Sequence, residues 1–415
     1  MTFLQFMEGL SLVLALLTPL LFCYQFLYLF LPLFGKRKLP EAKTMRKYAI
    51  LIAARNEEAV LPHLLDSIRA QNYPQELITM FVVADNCTDN TAKVAAEHGA
   101  VVYERFNKEK VGKGYALNFL LNNVKSDYGY DAFDAYLIFD ADNLLHKDYI
   151  KRMNGMPEAG YEAFCGYRNT KNFGNNWITS GYGLWYLHES THLNRSRMFL
   201  GTGCAVNGTG FGFTRELLKR IGSWDFFTLT EDLEFNNWCA SNQVKIGYCH
   251  DAVLYDEQPL TFPQSWKQRI RWTQGGIQVS LKYVGKIIPG IFRRNWSGYT
   301  CYEQLTLSMW GFAWGTLVGM LSFGLILSKF QWLPLTLIGA MTLVGSYMGM
   351  FWVGLLTMLT ERKRIHATTA QKVRSVFTFP LFMMTFVLTT VAAFFKKCEW
   401  TPIEHTVAIS AEELV

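Results

Sequence analysis

The stretch Thr230 to Asn242 reads TEDLEFNNWCASN and sets three acids, Glu231, Asp232 and Glu234, among residues suited to burial, Leu233, Phe235 and Trp238. A carboxylate held at the mouth of a site can take a proton at neutral pH. The stretch alone does not choose the base among them; an acid that is not the base is a supporting contact or, like Glu234, a solvated or salt-bridged residue on the same helix start. Upstream, AYLIFDADN places Asp140 and Asp142 behind the apolar run Leu137-Ile138-Phe139, and strand alternation points both carboxylates the same way. Paired hard oxygen ligands suit Mg2+ or Mn2+, above all where a diphosphate adds further oxygens. An isolated pair of this kind is as readily a turn of solvated acids; the neighbouring clusters favour the metal. ITMFVVADNCTDNTA offers Asp85 beside Asn86 and Asp89, either a capped turn into a helix or a hydrogen-bonding partner for a nucleotide base or ribose. QRIRWTQGG sets Gln268 and Arg271 on one helical face, where the fork of Arg271 can reach an anion that Gln268 and Trp272 help to position; with Trp266, Lys282 and Trp296 the same residues also suit a helix lying on the membrane, and both readings can hold together.

The elements that must position these groups are short. YAILIAARNEE (Tyr48 to Glu58), the run from Ile78 to Ala92 and the run from Ala135 to Asn143 each carry apolar strand residues that end in a polar cluster. Such strands, separated by helix-length segments, imply a largely parallel sheet with both faces covered and ligands at the carboxyl ends. VGKGYALNFLL fails as a phosphate loop, because Asn107 stands where the first glycine belongs and Gly114 where Ser or Thr should follow Lys113. A helix start carrying Lys113 still meets a phosphate through free amides and an ammonium charge. GTGCAVNGTGFGF (Gly201 to Phe213) holds five glycines, which weaken regular structure unless a ligand or another backbone comes close.

The chain has 415 residues, 50% of them hydrophobic. Gly9 to Gly35 is free of charge and longer than the roughly 20 residues that cross a bilayer. Gln304 to Ser328, Trp332 to Leu359 and Val376 to Phe395 are uncharged too. The expected organisation is a transmembrane helix over 1–35, an α/β catalytic domain over 36–262, interfacial helices over 263–300, membrane segments over 304–397 and a tail over 398–415. Basic residues at Lys36, Arg37 and Lys38, Arg293 and Arg294, and Arg362, Lys363 and Arg364 place the central domain in the cytosol and the N-terminus outside. Lys396 and Lys397 break that pattern if the last segment crosses, so it is either re-entrant or interfacial, or the pair is an exception. Eight scattered cysteines without a CxxC suit a reducing compartment. The net charge of +6 gathers near the membrane junctions, which points to lipid headgroups and away from nucleic acid.

In its ordered set Asp85, Asp140-Ala141-Asp142, Thr230-Glu231-Asp232 and Gln268-Arg269-Ile270-Arg271-Trp272, the sequence resembles the family 2 glycosyltransferases, in particular the membrane-embedded polysaccharide synthases that make cellulose, hyaluronan and poly-N-acetylglucosamine. The resemblance spans about Ala49 to Gly276. It implies a GT-A (Rossmann-like) fold and a UDP-sugar donor, with Asp85 on the uracil-ribose part and Asn56, Glu57 and Lys113 nearby. Asp140 and Asp142 would bind the divalent metal and diphosphate, Asp232 would be the general base, and Gln268, Arg271 and Trp272 would hold the diphosphate and acceptor end. Asn207, Gly208 and Thr209 align with the acceptor-binding loop. By the same resemblance, the expected reaction is inverting, metal-dependent transfer to a growing β-linked polysaccharide at the cytosolic membrane face, processive and coupled to export. The alternative is a single transfer to a membrane lipid. The chain has one N-terminal span where several relatives have two, and no cyclic-dinucleotide-binding domain is visible.

Two rivals come from other classes. His188-Glu189-Ser190-Thr191-His192 satisfies HExxH, whose histidines would share a helical face and bind zinc in a protease. That reading leaves the acid clusters and QRIRW unexplained; the plain alternative is a helix beside the acceptor site with its polar face wet or touching sugar. A transporter would need ionisable residues within its spans, and these spans are nearly free of them.

Overall fold

The computed structural model describes residues 3–35, 37, 39–329, 335–396, 405 and 407–409. Lys36, Lys38, Lys397, the start of the Trp332 run and most of the 398–415 tail lie outside the described residues. An apolar helix, α1 (Phe3–Phe30), precedes the catalytic domain. The three apolar runs become β1 (Tyr48–Ala54), β2 (Ile78–Asp85) and β4 (Ala135–Asp140), with β3 (Val101–Arg105) outside β2. All four are parallel, with Tyr48 opposite Ile78 on one side and Ala135 on the other. The side chains of β1, β2 and β4 are mostly buried on both faces, while those of the edge strand β3 are mostly half-buried, because α2 (Leu61–Arg69), α3 (Thr91–Glu97) and α4 (Lys113–Tyr128) link and cover the sheet.

β5 (Leu144–Leu145), β6 (Ala163–Thr170), β7 (Phe211–Thr214) and β8 (Ile246–Asp256) complete an eight-stranded sheet of order β3-β2-β1-β4-β7-β6-β8-β5. β7 runs antiparallel to β4 and β6, and β5 antiparallel to β8. The chain steps outward from β1 to β3 and then returns to β4 on the other side. That reversal opens a crevice beyond the carboxyl ends of β1 and β4, where open α/β sheets bind ligands.

Between these strands lie α5 (Tyr149–Met153), α6 (Gly155–Glu158), α7 (Trp177–His188), a π-helical turn at Glu189–Asn194, α8 (Arg195–Leu200), α9 (Arg215–Ile221) and α10 (Glu231–Ser241). The long α11 (Phe262–Ile291) starts at a capping box, Thr261 with Gln264, so its first turn is fixed before the QRIRW residues follow. α12 (Trp296–Thr306), α13 (Met309–Lys329), α14 (Leu335–Glu361) and α15 (Thr369–Phe395) close the chain.

The glycine-rich stretch is explained by close backbone approach. Gly210 sits at φ +63°, and a Cβ on Gly212 would fall 2.3 Å from the Tyr136 carbonyl, so β7 pairs against β4 only without side chains there. Gly114 plays the same part at the start of α4, where a Cβ would lie 2.0 Å from the Phe226 carbonyl. Gly114→Ala is therefore expected to cost about 1–3 kcal/mol and to shift Lys113. Chemical denaturation should show the lower midpoint, and nucleotide affinity should fall with it.

Among the described residues three helices are long and apolar enough to cross a membrane, Glu8–Phe34, Gly339–Glu361 and Thr369–Phe395, and the bent pair of α12 and α13 makes up to four. α15 differs from the others in its contacts. Near its start Gln371 Nε2 donates to the Gly174 carbonyl at 2.9 Å, and near its end Gln274 Nε2 donates to the Ala393 carbonyl at 3.0 Å. In between, Phe382 packs where a Cβ on Gly181 would fall, 2.4 Å from its ring. Both ends of α15 thus return to the catalytic domain and its flanking helix.

Candidate active site

One cavity of about 430 Å³ lies beyond the carboxyl ends of β1, β2 and β4, and Glu57, Asp85, Lys113, Asp140, Asp142, Asn207, Gly208, Glu231, Asp232, Gln268, Arg271 and Trp272 all line it. Twelve of the fourteen residues singled out from sequence therefore meet in one place, although they come from segments up to two hundred residues apart. Asn56 and Thr209 stand behind the lining. Asn56 takes a left-handed backbone at φ 56° and its Oδ1 accepts from the Thr88 amide at 2.8 Å, which ties the loop after β1 to the loop after β2. Thr209 Oγ1 accepts from the Asp140 amide at 2.9 Å and so steadies the end of β4.

On one side of the cavity, Asp85 ends β2, buried, with the Arg105 guanidinium on its Oδ1. Lys113 opens α4, as its sequence position suggests, and its Nζ donates to Asp140 Oδ1 at 2.5 Å and to the Gly208 carbonyl at 2.6 Å. Burial works against the ammonium, but Asp140 and Glu231 more than offset it and leave its pKa raised. Asp142 is buried in the turn after β4, and its Oδ2 accepts from the Glu257 amide at 3.1 Å. Burial raises its pKa, with His405 and Lys171 opposing. Asp140 and Asp142 together offer hard oxygens to a small divalent cation; among the described residues no cluster of three protein ligands exists, so a bound diphosphate would have to supply the rest.

On the other side, α10 presents its first turn. Asp232 is half buried, and burial raises its carboxyl pKa while the Leu233 amide, Lys113 and Arg168 oppose. Glu231 stands 3.8 Å from Lys113 and is pushed up to about 7 by burial, against Lys113. Glu234 corrects the expectation of a solvated acid: it is fully buried, paired with Lys282 and accepting from the Thr228 amide at 2.9 Å. Its work is to lock the α10 start onto α11, as the salt-bridge alternative anticipated.

From α11, Gln268, Arg271 and Trp272 reach the cavity. Gln268 Oε1 and Arg271 Nε are buried without a hydrogen-bond partner among the described residues. Unpaired buried polar atoms are costly unless a ligand meets them, so this pair fits a bound anion and its attached group.

The HExxH residues separate. His188 and His192 stack with ring centroids 5.2 Å apart and turn toward Thr357 and Thr360 of α14. Burial holds their pKa values down at about 3 and 4. The polar face of this helix is thus packed on a neighbour rather than wet, while Glu189 lines the cavity.

Several groups here escaped the sequence reading. Asp256 and Glu257 end β8 as Asp85 ends β2, so the same rule of an apolar strand closing on acids would have found them. Arg168 had no such signal. The least expected is His405, from a stretch read as a tail: its Nδ1 lies 2.9 Å from Glu57 Oε1, its Nε2 3.8 Å from Asp142 Oδ2. Burial would lower its pKa, but Asp142 and Glu57 hold it up at about 10. Lys171 Nζ donates to the Val407 carbonyl at 2.8 Å, and the Val407 amide donates to Glu257 Oε2 at 3.1 Å. His405 and Val407 thus lie against Glu57, Asp142 and Glu257 at one side of the cavity.

A mixed sheet with acids at the ends of β1, β2 and β4, and a carboxylate helix start facing an arginine helix, defines a GT-A glycosyltransferase domain. The chain belongs to the family described as "Glycosyltransferase like family 2", whose model matches residues 46–275. It is 27% identical over 246 residues to a beta-monoglucosyldiacylglycerol synthase of Synechocystis sp., covering 56% of this chain and 48% of that protein. It is 25% identical over 275 residues to a poly-beta-1,6-N-acetyl-D-glucosamine synthase of Staphylococcus epidermidis, covering 65% of this chain and 64% of that one. The chain thus spans between about half and two thirds of the length of these relatives. A solved mannosyltransferase from Pyrobaculum calidifontis, in complex with GDP-Man and Mn2+, superposes with a TM-score of 0.50 at 14% identity, over 93% of this chain and 99% of that one, a likeness of fold.

Proposed function

We propose that this chain transfers a sugar from a UDP-sugar, with inversion, to a hydroxyl of an acceptor at the cytosolic face of a membrane, extending a β-linked polysaccharide processively and exporting it. The observation that carries the proposal is the convergence of Asp85, Asp140, Asp142, Asp232 and Arg271 on a single cavity. Asp85 accepts hydrogen bonds from the nucleoside, and Lys113 and Arg271 face the diphosphate. Asp140 and Asp142 hold Mg2+ or Mn2+, which when bound neutralises charge on the departing diphosphate. Asp232 takes the proton of the attacking hydroxyl while Arg271 stabilises the leaving group. One displacement on an α-linked donor gives a β-linkage.

The unit over 36–262 is the catalytic domain, and the interfacial helix within 263–300 is α11. α1, the α12/α13 pair and α14 are assigned as crossings, with α15 lying along the membrane surface, because both its ends are tied to the cytosolic domain. That arrangement keeps Arg362 to Arg364 and Lys396 on the cytosolic side, in keeping with the bias of basic residues. A second reading, a single transfer to a membrane lipid, is supported by the likeness to the glycolipid synthase.

The test is to incubate the purified chain in lipid nanodiscs with a panel of UDP-sugars and Mg2+ or Mn2+, following UDP release and product size. A ladder of long products is expected; one short lipid-extractable product favours the second reading, and no UDP release from any donor overturns both. His188→Ala is included as a control. Loss of activity as complete as that of Asp232→Asn would reopen the zinc reading.

A further inference from the structure

We infer that Glu189 is an acceptor-selecting residue, which takes a hydrogen bond from a hydroxyl beside the attacking one and admits neutral sugar termini while excluding anionic ones. The inference rests on the transfer reaction proposed above and goes beyond it in naming the acceptor class and the group that chooses it.

Four observations carry it. Trp185, Tyr186 and Glu189 line the cavity from consecutive turns; Tyr186 is buried under the Arg168 guanidinium, so the partly exposed ring of Trp185 is the aromatic face that stands beside the carboxyl. Flat aromatic faces cover the apolar C–H face of a pyranose, and a carboxyl beside them meets the equatorial hydroxyls. The carboxyl is held from behind: Asn207 Nδ2 donates to its Oε2 at 2.7 Å, and Arg168 Nη1 donates to the Asn207 carbonyl at 2.5 Å while its guanidinium lies 3.7 Å from the Tyr186 ring centroid. No donor among the described residues is recorded on Oε1, which remains for a ligand. The backbone also changes form here, since Glu189 opens the π-helical turn that separates α7 from α8. Such turns recur at functional sites because the extra residue re-aims its neighbours. In this case His188 and His192 face α14 and Glu189 faces the cavity.

The acceptor side also has a charge sign. Asp232, Glu231 and Glu189 are three acids of the lining, and Arg168, which lines it too, is the cation that acts on both Asp232 and Glu189; Lys113 and Arg271 are assigned to the donor. Burial pushes the Glu189 carboxyl up to about 7, against Arg168 and Arg197 and helped by Asp232, so it both accepts from and donates to hydroxyls near neutral pH. A uronate placed among these groups meets like charge and loses hydration, which costs affinity; a neutral hexose does not.

The experiment uses the full chain in nanodiscs, its preferred UDP-sugar, and two acceptors of the same shape, octyl β-D-glucoside and octyl β-D-glucuronide. Wild type is expected to prefer the glucoside at least tenfold in kcat/KM. Glu189→Ala should raise the glucoside KM about tenfold or more and give mixed linkages by methylation analysis, while donor KM stays within twofold. Glu189→Gln, close in shape, guards against a folding defect and should recover glucoside affinity while narrowing the preference against glucuronide. An unchanged acceptor KM and linkage in Glu189→Ala, a parallel loss of donor affinity, equal use of both glycosides by wild type, or transfer to diacylglycerol alone would each overturn the inference. Wild type that releases no UDP from any donor overturns the transfer reading beneath it.

Discussion

Asp232→Asn lowers turnover by about 10²- to 10⁴-fold, the usual worth of a positioned general base, and leaves donor KM nearly unchanged. The asparagine keeps the shape of the side chain and the bond to the Leu233 amide, but it cannot take a proton from the acceptor hydroxyl. Glu231 does not substitute for it, because its carboxyl is turned to the Lys113 ammonium, 3.8 Å away. The pH profile carries the same signature. Burial raises the Asp232 pKa and the ionised form is the active one, so kcat/KM should fall as pH drops, with the acid limb above the ordinary carboxylate value of about 4. Steady-state kinetics with a fixed UDP-sugar across pH 4.5 to 8.5 would check both. A variant retaining a tenth of wild-type turnover, or an acid limb that persists unchanged in it, removes Asp232 from the role of base.

What could be read from the sequence follows a physical division. Strands β1, β2 and β4 were legible because burial on both faces makes them continuous apolar runs, and the acids closing them follow from where such sheets bind ligands. The helix carrying Gln268, Arg271 and Trp272 was legible from spacing alone. Glu234 was half read, because a sequence does not say that Lys282, one long helix later, will neutralise it in the core. Gly210 and Gly212 announced close packing without naming the partner, which is the β4 backbone and the Leu254 side chain. His405 and Arg168 were beyond reach for one reason. Their partners, Glu57 and Asp142 for the first and Asp256 and Asn207 for the second, are fixed only once the whole sheet has closed.

Arg168→Met is expected to destabilise the domain by about 3–5 kcal/mol, because it strands a buried carboxylate. Arg168 Nε donates to Asp256 Oδ2 at 3.0 Å and Nη2 bonds the same oxygen. Asp256 is buried, and it also accepts from Asn143 Nδ2 at 2.9 Å and Gln258 Nε2 at 2.8 Å. Burial already pushes its carboxyl up to about 6 against the pull of Arg168, so removing the cation forces it either to take up a proton or to stay charged without an ion-pair partner. Both outcomes cost stability, and the amide donors aimed at it are poorly matched to a neutral acid. Adding Asp256→Asn to the variant removes the second charge and should restore more than half of the loss, as buried pairs behave when both members go. Activity should not return with stability, because Asn207 loses the Arg168 contact that holds it beside Gly208 and Asp232. Denaturation midpoints of the single and double variants, measured with UDP release on the same samples, separate the two effects. A single variant within 1 kcal/mol of wild type would mean that this ion pair does not brace the acceptor wall.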